Sequence, residues 1–276
     1  MNQAAVSLPA GYRLHSYPAI GSTNDEAKRL AREGAPEGTL VWAREQTAGR
    51  GRRGRNWASP PGNLYLSLLV RPGGAPGRAA QLGFVAALGL GEALDRLTGS
   101  KLALRYKWPN DLLANGSKLA GILLESETIP SGAVDFVVIG LGVNLVSGPE
   151  AAEYPATSLA AEGLATVTPR PLLESFVRRF DHWAARWRQE GFAPVRQAWL
   201  SRASGIGQAI LVRLERATLA GRFVDLDENG ALLLDGADGP RRVAAGDVFP
   251  AGCELQGDAA STAGVLRDAP FGRSSA

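Results

Sequence analysis

Residues 48–57 read Ala-Gly-Arg-Gly-Arg-Arg-Gly-Arg-Asn-Trp, four arginines among three glycines directly ahead of a tryptophan. How this stretch is read decides the fold. Gly49, Gly51 and Gly54 match the pattern G-x-G-x-x-G, which marks a dinucleotide-binding Rossmann unit when it follows a strand and opens a helix. Residues 39–45 supply the strand, but Asn56-Trp57-Ala58-Ser59-Pro60-Pro61 breaks any helix. The acid expected about 20 residues on is also missing, since residues 68–71 are Leu-Leu-Val-Arg. The Rossmann reading fails. A Walker loop fails as well, because Gly-Lys-Ser/Thr occurs nowhere in the chain.

An RNA-binding arginine tract normally lies in polar, disordered sequence. This one is clamped between apolar strands at 39–45 and 64–70. What fits is a loop that orders on a small anion. Its glycines let the backbone approach closely, and arginine forks can hold a carboxylate and phosphates together. Trp57 would supply an apolar wall. Without an anion between them the arginines would repel one another, so the loop is expected to order on its ligand.

Outward from the loop, the 276 residues are 45% hydrophobic and 21% charged, enough apolar sequence for a sizeable core. The net charge of +3 is far from the excess of a dedicated nucleic-acid binder. No signal peptide or stretch of about 20 apolar residues is present, so a cytoplasmic protein is expected. Ser22-Thr23-Asn24 with Glu26 starts a helix that Gly34 and Pro36 end, after a polar lead. Leu82, Val85, Ala86, Leu90, Leu94 and Leu97 form a buried helical stripe within 78–97. Strands follow at 102–108, 112–114 and 118–127, with Asn115-Gly116 as a hairpin turn, then at 135–145. A helix covers 172–188. From Gln208 the texture changes to short alternating strands, one pair joined by Asn229-Gly230, which read as a small SH3-like β module. Residues 257–276 read as a disordered tail.

The stock of catalysts removes whole reaction classes. His15 and His182 are the two histidines, and neither sits beside a nucleophile motif. The single cysteine, Cys253, allows no internal disulfide and ends a strand of the small module. No spacing of His, Asp or Glu suggests a protein-built metal cage. Charge stabilisation by lysine and arginine remains. Lys107-Trp108-Pro109-Asn110-Asp111 offers a cation, an amide and a carboxylate at a strand-to-turn junction. Lys118-Leu119-Ala120-Gly121-Ile122-Leu123 sets a lysine ahead of an apolar run, though Lys118 taken alone reads equally as an exposed strand-end charge. Gly140-Leu141-Gly142-Val143-Asn144 is by itself a weak motif.

Taken together and in order, these stretches from Ser22 to Asn144 resemble the biotin protein ligases. The β module at 208–256 is similar to the family's small C-terminal domain. The resemblance implies an α/β (α+β) fold: a mixed-sheet, class II synthetase-like catalytic domain over 1–205, an SH3-like β-barrel over 206–256 and the tail at 257–276. It implies that biotin's carboxylate attacks ATP, with Mg²⁺ carried by the nucleotide, to give biotinyl-5′-AMP. The biotinyl group then passes to a lysine of a biotin carboxyl carrier protein. An ionised carboxylate needs no general base, which agrees with the scarcity of histidine; positioning and charge neutralisation suffice.

Residue by residue, the resemblance assigns catalysis to Lys118, Arg50 and Arg52. Ser22, Thr23, Asn24 and Gln46 fall to the biotin head group, where a neutral ureido ring calls for neutral donors and acceptors. Gly49 and Gly51 join the two arginines in the loop over the biotin carboxylate and phosphates, with Trp57 against the ligand and Gly121 and Leu123 lining the biotin pocket. Arg53, Arg55, Asn110, Asp111 and Asn144 fall to the ATP side, Asp111 either for Mg²⁺ or for the acceptor lysine. The bifunctional members carry an N-terminal helix-turn-helix domain, and the residues before Ser22 are too few for one, so specific DNA binding is not expected. Nor is a membrane partner, while a homodimer is possible. Some members stack a tryptophan on adenine from the segment after the Gly-x-Gly-x-Asn strand; residues 154–159 here are Tyr-Pro-Ala-Thr-Ser-Leu and lack one. The rival readings are lipoate ligation, on a related fold, and an arginine-loop RNA-binding module.

Overall fold

The computed structural model describes residues 6–149 and 153–252; Cys253 and the segment 257–276 lie outside the described residues. A seven-stranded mixed sheet forms the main layer. Its strands are β1 (Arg13–Tyr17), β2 (Thr39–Ala43), β3 (Leu64–Val70), β4 (Leu104–Lys107), β5 (Asp111–Ala114), β6 (Ser117–Thr128) and β7 (Val134–Val143), in the order β1-β2-β3-β7-β6-β5-β4. Only β1 and β2 run parallel. Every residue of β3, Leu-Tyr-Leu-Ser-Leu-Leu-Val, is buried because both faces of the sheet are covered. Leu69 packs with Ala27 and Ala31 of α1 (Thr23–Arg32) on one face. Leu66 and Leu68 belong to the large core on the other face, beneath α3 (Leu82–Thr98) and α4 (Pro169–Glu190).

Three elements escaped the sequence patterns. The polar lead contains β1, an edge strand with most of its side chains exposed, so it carries little apolar alternation. The single helix expected at 78–97 forms as α2 (Pro76–Ala80) and α3, meeting at Gln81. The Gln81 side chain accepts a hydrogen bond from the Trp187 indole at 2.7 Å and donates to the Glu228 carbonyl at 3.1 Å. A short helix, α5 (Ala193–Leu200), buries only Val195 and Trp199. The hairpin turn at Asn115-Gly116 forms as expected, both residues having positive φ.

The second sheet has five antiparallel strands in the order β11-β10-β9-β8-β12: β8 (Ala209–Arg213), β9 (Thr218–Leu226), β10 (Leu232–Gly236), β11 (Gly239–Val243) and β12 (Asp247–Pro250). Its apolar side chains, among them Val212, Phe223 and Leu232, belong to the same core cluster as the large sheet. The tip of its β9–β10 turn docks on the main layer. There the Trp108 indole donates to the Gly230 carbonyl at 3.0 Å, and a Cβ on Gly230 would lie 2.5 Å from the Phe84 ring. Among the described residues no helix is long and apolar enough to cross a membrane.

Helices α3 and α4 touch through glycine. A Cβ on Gly89 would sit 3.0 Å from the Phe180 nitrogen, a backbone atom with little room to yield. Alanine is the better helix former by about 1 kcal/mol, but overpacking of a tight contact costs about 1–3 kcal/mol. Gly89→Ala is therefore expected to lower the unfolding free energy despite its helix preference. Urea unfolding checks this, and a gain in stability would show that α4 can move away freely.

Candidate active site

A cleft of about 320 Å³ opens where the start of α1, the glycine–arginine loop, the β4–β5 turn, β6, β7 and the start of β12 meet. Every residue singled out from the sequence lines it except Gly49 and Arg53. Its two sides differ in chemistry.

The first side is neutral and closely hydrogen-bonded. The Thr23 amide and hydroxyl both donate to the Gln46 side-chain oxygen, at 2.8 and 3.0 Å, and the Gln46 amide nitrogen donates to the Ser59 hydroxyl at 3.0 Å. Beneath them Ser67 of β3 lies 2.8 Å from the Thr23 hydroxyl and 2.6 Å from the Asn24 oxygen. Asn24 donates in turn to Glu125 at 2.7 Å. The backbone passes so close here that a Cβ on Gly49 would meet the Ser59 hydroxyl at 2.4 Å and the Trp57 carbonyl at 2.5 Å. Gly49 acts on the cleft through this turn and not as part of its wall. Ser22, buried ahead of α1, makes no side-chain cap bond to the helix.

The second side is cationic. Arg50 forks onto Asp25 at 2.6 and 2.7 Å and lies 3.7 Å from Glu125. The Arg50 hydrogen bonds hold the Asp25 carboxyl down, to about 2. Arg52, Arg53 and Arg55 all face Asp247 of β12, at 3.3, 3.4 and 3.1 Å. Burial alone would raise the Asp247 carboxyl, but Arg55, Arg52 and Arg53 outweigh it and keep it below the ordinary carboxylate range. The expected mutual repulsion of the loop arginines is thus met by carboxylates of the protein itself.

Lys118 is no dangling strand-end charge. Its ammonium lies 2.6 Å from Asp111 and 5.3 Å from the centre of the Trp57 ring. A bulge puts it there. Leu112 pairs with Ala120 and Leu113 with Lys118, which leaves Leu119 as an extra residue on β6. Gly121 and Leu123 line the cleft, so strict alternation would turn Leu119 toward it and Lys118 into the core. The extra residue reverses both, and Leu119 is fully buried in the core. Trp57 is seated by glycines on the two central strands: a Cβ on Gly142 would lie 2.6 Å from its indole and one on Gly121 3.2 Å.

Asn110 donates to the Ile122 carbonyl at 2.7 Å, which fixes the β4–β5 turn beside Arg52. Asn144 donates to the Thr157 carbonyl at 3.0 Å. Several residues at or just behind the cleft carried no signal of their own in the sequence. Asp247 and Phe249 line it from the C-terminal module, while Asp25 and Glu125 stand behind the lining and meet it through Arg50 and Asn24. Lys107 stood in a quoted motif without a role. Its ammonium lies 3.7 Å from Asp111 and sits over the rings of Tyr154 and Phe249, at 4.5 and 5.6 Å. Burial pushes it below the ordinary lysine range, with Asp111 opposing. Among the described residues no group of three or more His, Cys, Asp or Glu could hold a metal ion.

The family model "Biotin/lipoate A/B protein ligase family" matches residues 17–144, and "Biotin protein ligase C terminal domain" matches residues 205–249. The chain is 45% identical over 233 residues to a biotin–[acetyl-CoA-carboxylase] ligase of Paracoccus denitrificans, covering 83% of this chain and 96% of that protein. It is 33% identical over 245 residues to the bifunctional ligase/repressor BirA of Bacillus subtilis, covering 86% of this chain and 74% of that protein. Among solved structures it superposes on a biotin protein ligase from Aquifex aeolicus in complex with biotin and ATP, with a TM-score of 0.72, 26% identity, and 86% of this chain and 97% of that one covered. With both domain matches and a relative 45% identical over 83% of its length, the chain belongs to the biotin protein ligase family.

Proposed function

We propose that the chain activates biotin with ATP and passes the biotinyl group to a lysine of a biotin carboxyl carrier protein. The observation that carries this reading is the cleft itself, in which a neutral hydrogen-bonding wall faces a concentration of lysine and arginine. A neutral ring with an ionised tail fits such a division, and so does a nucleotide carrying phosphates next to that tail.

In the first step one oxygen of the biotin carboxylate bonds to the α-phosphorus of ATP as the bond to the pyrophosphate oxygen breaks. Negative charge grows on the phosphoryl oxygens and the leaving group, and fixed cations in a partly dry cleft stabilise it. Lys118, Arg50 and Arg52 are the residues proposed to do so. Arg50 must trade Asp25 for the ligand, and Lys118 must share its ammonium with Asp111. In the second step the acceptor amine attacks the acyl carbon, AMP leaves with the bonding electrons, and the nitrogen sheds a proton. Asp111 is proposed either to orient that amine or to hold the Mg²⁺ that enters with ATP.

Ser22, Thr23 and Gln46 are proposed to hold the head group, with Gly121, Leu123 and Trp57 as the apolar wall and Gly49 and Gly51 shaping the loop above. Asn24, through Ser67 and Glu125, supports that wall. Arg53, Arg55, Asn110 and Asn144 are assigned to the nucleotide side, where Tyr154 offers an aromatic face in place of the missing tryptophan. The proposed division is 1–205 for the catalytic domain, 206–256 for the SH3-like domain and 257–276 for a tail. A cytoplasmic location and a homodimer are part of the proposal.

Incubating the protein with biotin and radiolabelled ATP should yield biotinyl-5′-AMP, and lipoate in place of biotin should yield little adenylate. Preferential lipoyl-adenylate, or no adenylate from either acid, would overturn the reading. Lys118→Ala should slow adenylate formation by about 10²–10³, the usual effect of removing one transition-state contact. Circular dichroism should remain that of the unaltered protein; full activity in a folded variant would remove Lys118 from the mechanism. Binding to a biotin-operon-type DNA duplex should be weak, independent of sequence and lost at moderate salt. Tight, sequence-selective binding strengthened by biotinyl-5′-AMP would instead add a repressor role.

A further inference from the structure

One carboxylate stands behind the neutral wall and outside the lining of the cleft. Both oxygens of Glu125 accept hydrogen bonds, one from the Lys28 ammonium of α1 and the other from the Asn24 side-chain amide, each at 2.7 Å. Burial pulls the Lys28 ammonium down, but its hydrogen bonds to Glu125 and Asp25 outweigh that and hold it above the ordinary lysine range. Asn24 is closely seated. Ser67 of β3 and Gly140 of β7 are paired across the sheet, and a Cβ on Gly140 would meet the Asn24 oxygen at 2.3 Å. An amide held in this way can still turn over in place, exchanging its oxygen for its nitrogen.

A carboxylate accepts and cannot donate, so Asn24 must turn its nitrogen to Glu125 and its oxygen to Ser67. The Ser67 hydroxyl therefore gives its hydrogen to Asn24, at 2.6 Å, and has only its oxygen to offer Thr23, at 2.8 Å. The other end of the wall is fixed in the same way. The Trp57 carbonyl takes the Ser59 hydrogen at 2.8 Å, which turns the Gln46 nitrogen toward Ser59 and the Gln46 oxygen toward Thr23. The single hydrogen of the Thr23 hydroxyl thus lies between two acceptors of the protein, and toward the cleft that hydroxyl offers oxygen alone. We propose that Glu125, held by Lys28, is a positioning residue that sets the direction of this chain and so makes Thr23 an acceptor for a ring N–H of the ligand. Ending the chain on a carboxylate also strengthens each acceptor along it. A ureido ring carries two N–H groups and a dithiolane ring none, so the same polarity selects biotin against lipoate. For the identity of that ring the inference rests on the proposed function.

Glu125→Gln reverses the chain. Lys28 can only donate, so the new carbonyl faces Lys28 and the new amide faces Asn24, which must turn over; Ser67 then gives its hydrogen to Thr23, whose oxygen is spent on it. Removing the lysine as well, in Lys28→Met/Glu125→Gln, frees the carbonyl to face Asn24 and restores the original direction. Biotin is titrated calorimetrically into the full chain, both single variants and the double variant. Glu125→Gln should bind biotin about tenfold more weakly, the usual effect of a lost buried acceptor. Lys28→Met should bind as the unaltered chain does, and the double variant should regain most of the loss. Loss of a negative charge alone would instead tighten binding of the anionic biotin, and a scaffold role would leave the double variant as weak as Glu125→Gln or weaker. Either result overturns the inference, as does unchanged binding by Glu125→Gln. Neutron diffraction from the unaltered, deuterium-exchanged protein needs no biotin and no variant. The Ser67 deuteron should point to Asn24, and one pointing to Thr23 overturns the inference. An unaltered chain that fails to bind biotin strikes the proposed function and leaves the neutron map to decide the direction of the chain.

Discussion

Like charges do not gather without a reason, and the cleft gathers Arg50, Arg52, Arg55, Lys107 and Lys118 on one side. At these separations their repulsion would open the site unless it is offset within the protein. Each cation accordingly meets a carboxylate from another part of the chain: Arg50 meets Asp25, Lys107 and Lys118 share Asp111, and Arg52 and Arg55 share Asp247. The fold reflects this requirement. Asp25 is carried at the front of α1, Asp111 opens β5, and Asp247 opens β12, so a helix, a hairpin and a separate β module must converge before the cations are balanced. The pairs are not equivalent. Arg50 and Asp25 form a close fork, while the contacts around Asp247 are long and shared.

The same economy governs the neutral side. Thr23, Gln46, Ser59, Ser67 and Asn24 consume one another's donors and acceptors in a chain of hydrogen bonds reaching Glu125. A chain of this kind polarises its members and fixes their rotamers, so the wall is held in shape by its own bonds. The glycines complete it. Gly49, Gly121 and Gly142 each lie where a Cβ would press on Trp57 or on Ser59, so ring and backbone interlock only when those positions are bare.

Much of this was legible in the sequence. The Asn115-Gly116 turn, the apolar run of β3 and the break after Gly54 each follow from local chemistry, and the last of these is enough to exclude the Rossmann alternative. The motif residues, Gly49 and Arg53 apart, converge on the lining of one cleft although they stand on separate elements. What the sequence withheld is of another kind. Strand β1 is an edge strand and shows no alternation to read. The counter-charges Asp25, Glu125 and Asp247 look like ordinary surface acids until tertiary pairing brings them to the arginines. Lys118 reads as a strand-end charge because a one-residue bulge, which alone turns it toward the cleft, leaves no mark on composition or period.

The placement of Asp247 has a consequence for the order of events in synthesis. Residues 22–144, with most of the cleft, leave the ribosome long before β12 does, and their strands pair largely with sequence neighbours. Asp247 joins by contacts that span about 190 residues of chain, 194 in the case of Arg53, and such long-range contacts close late. Until the C-terminal module docks, Arg52, Arg53 and Arg55 stand together without their shared carboxylate. The electrical balance of the loop is thus complete only when the C-terminal module is docked on the sheet, which ties the charge state of the cleft to the attachment of a separate β module.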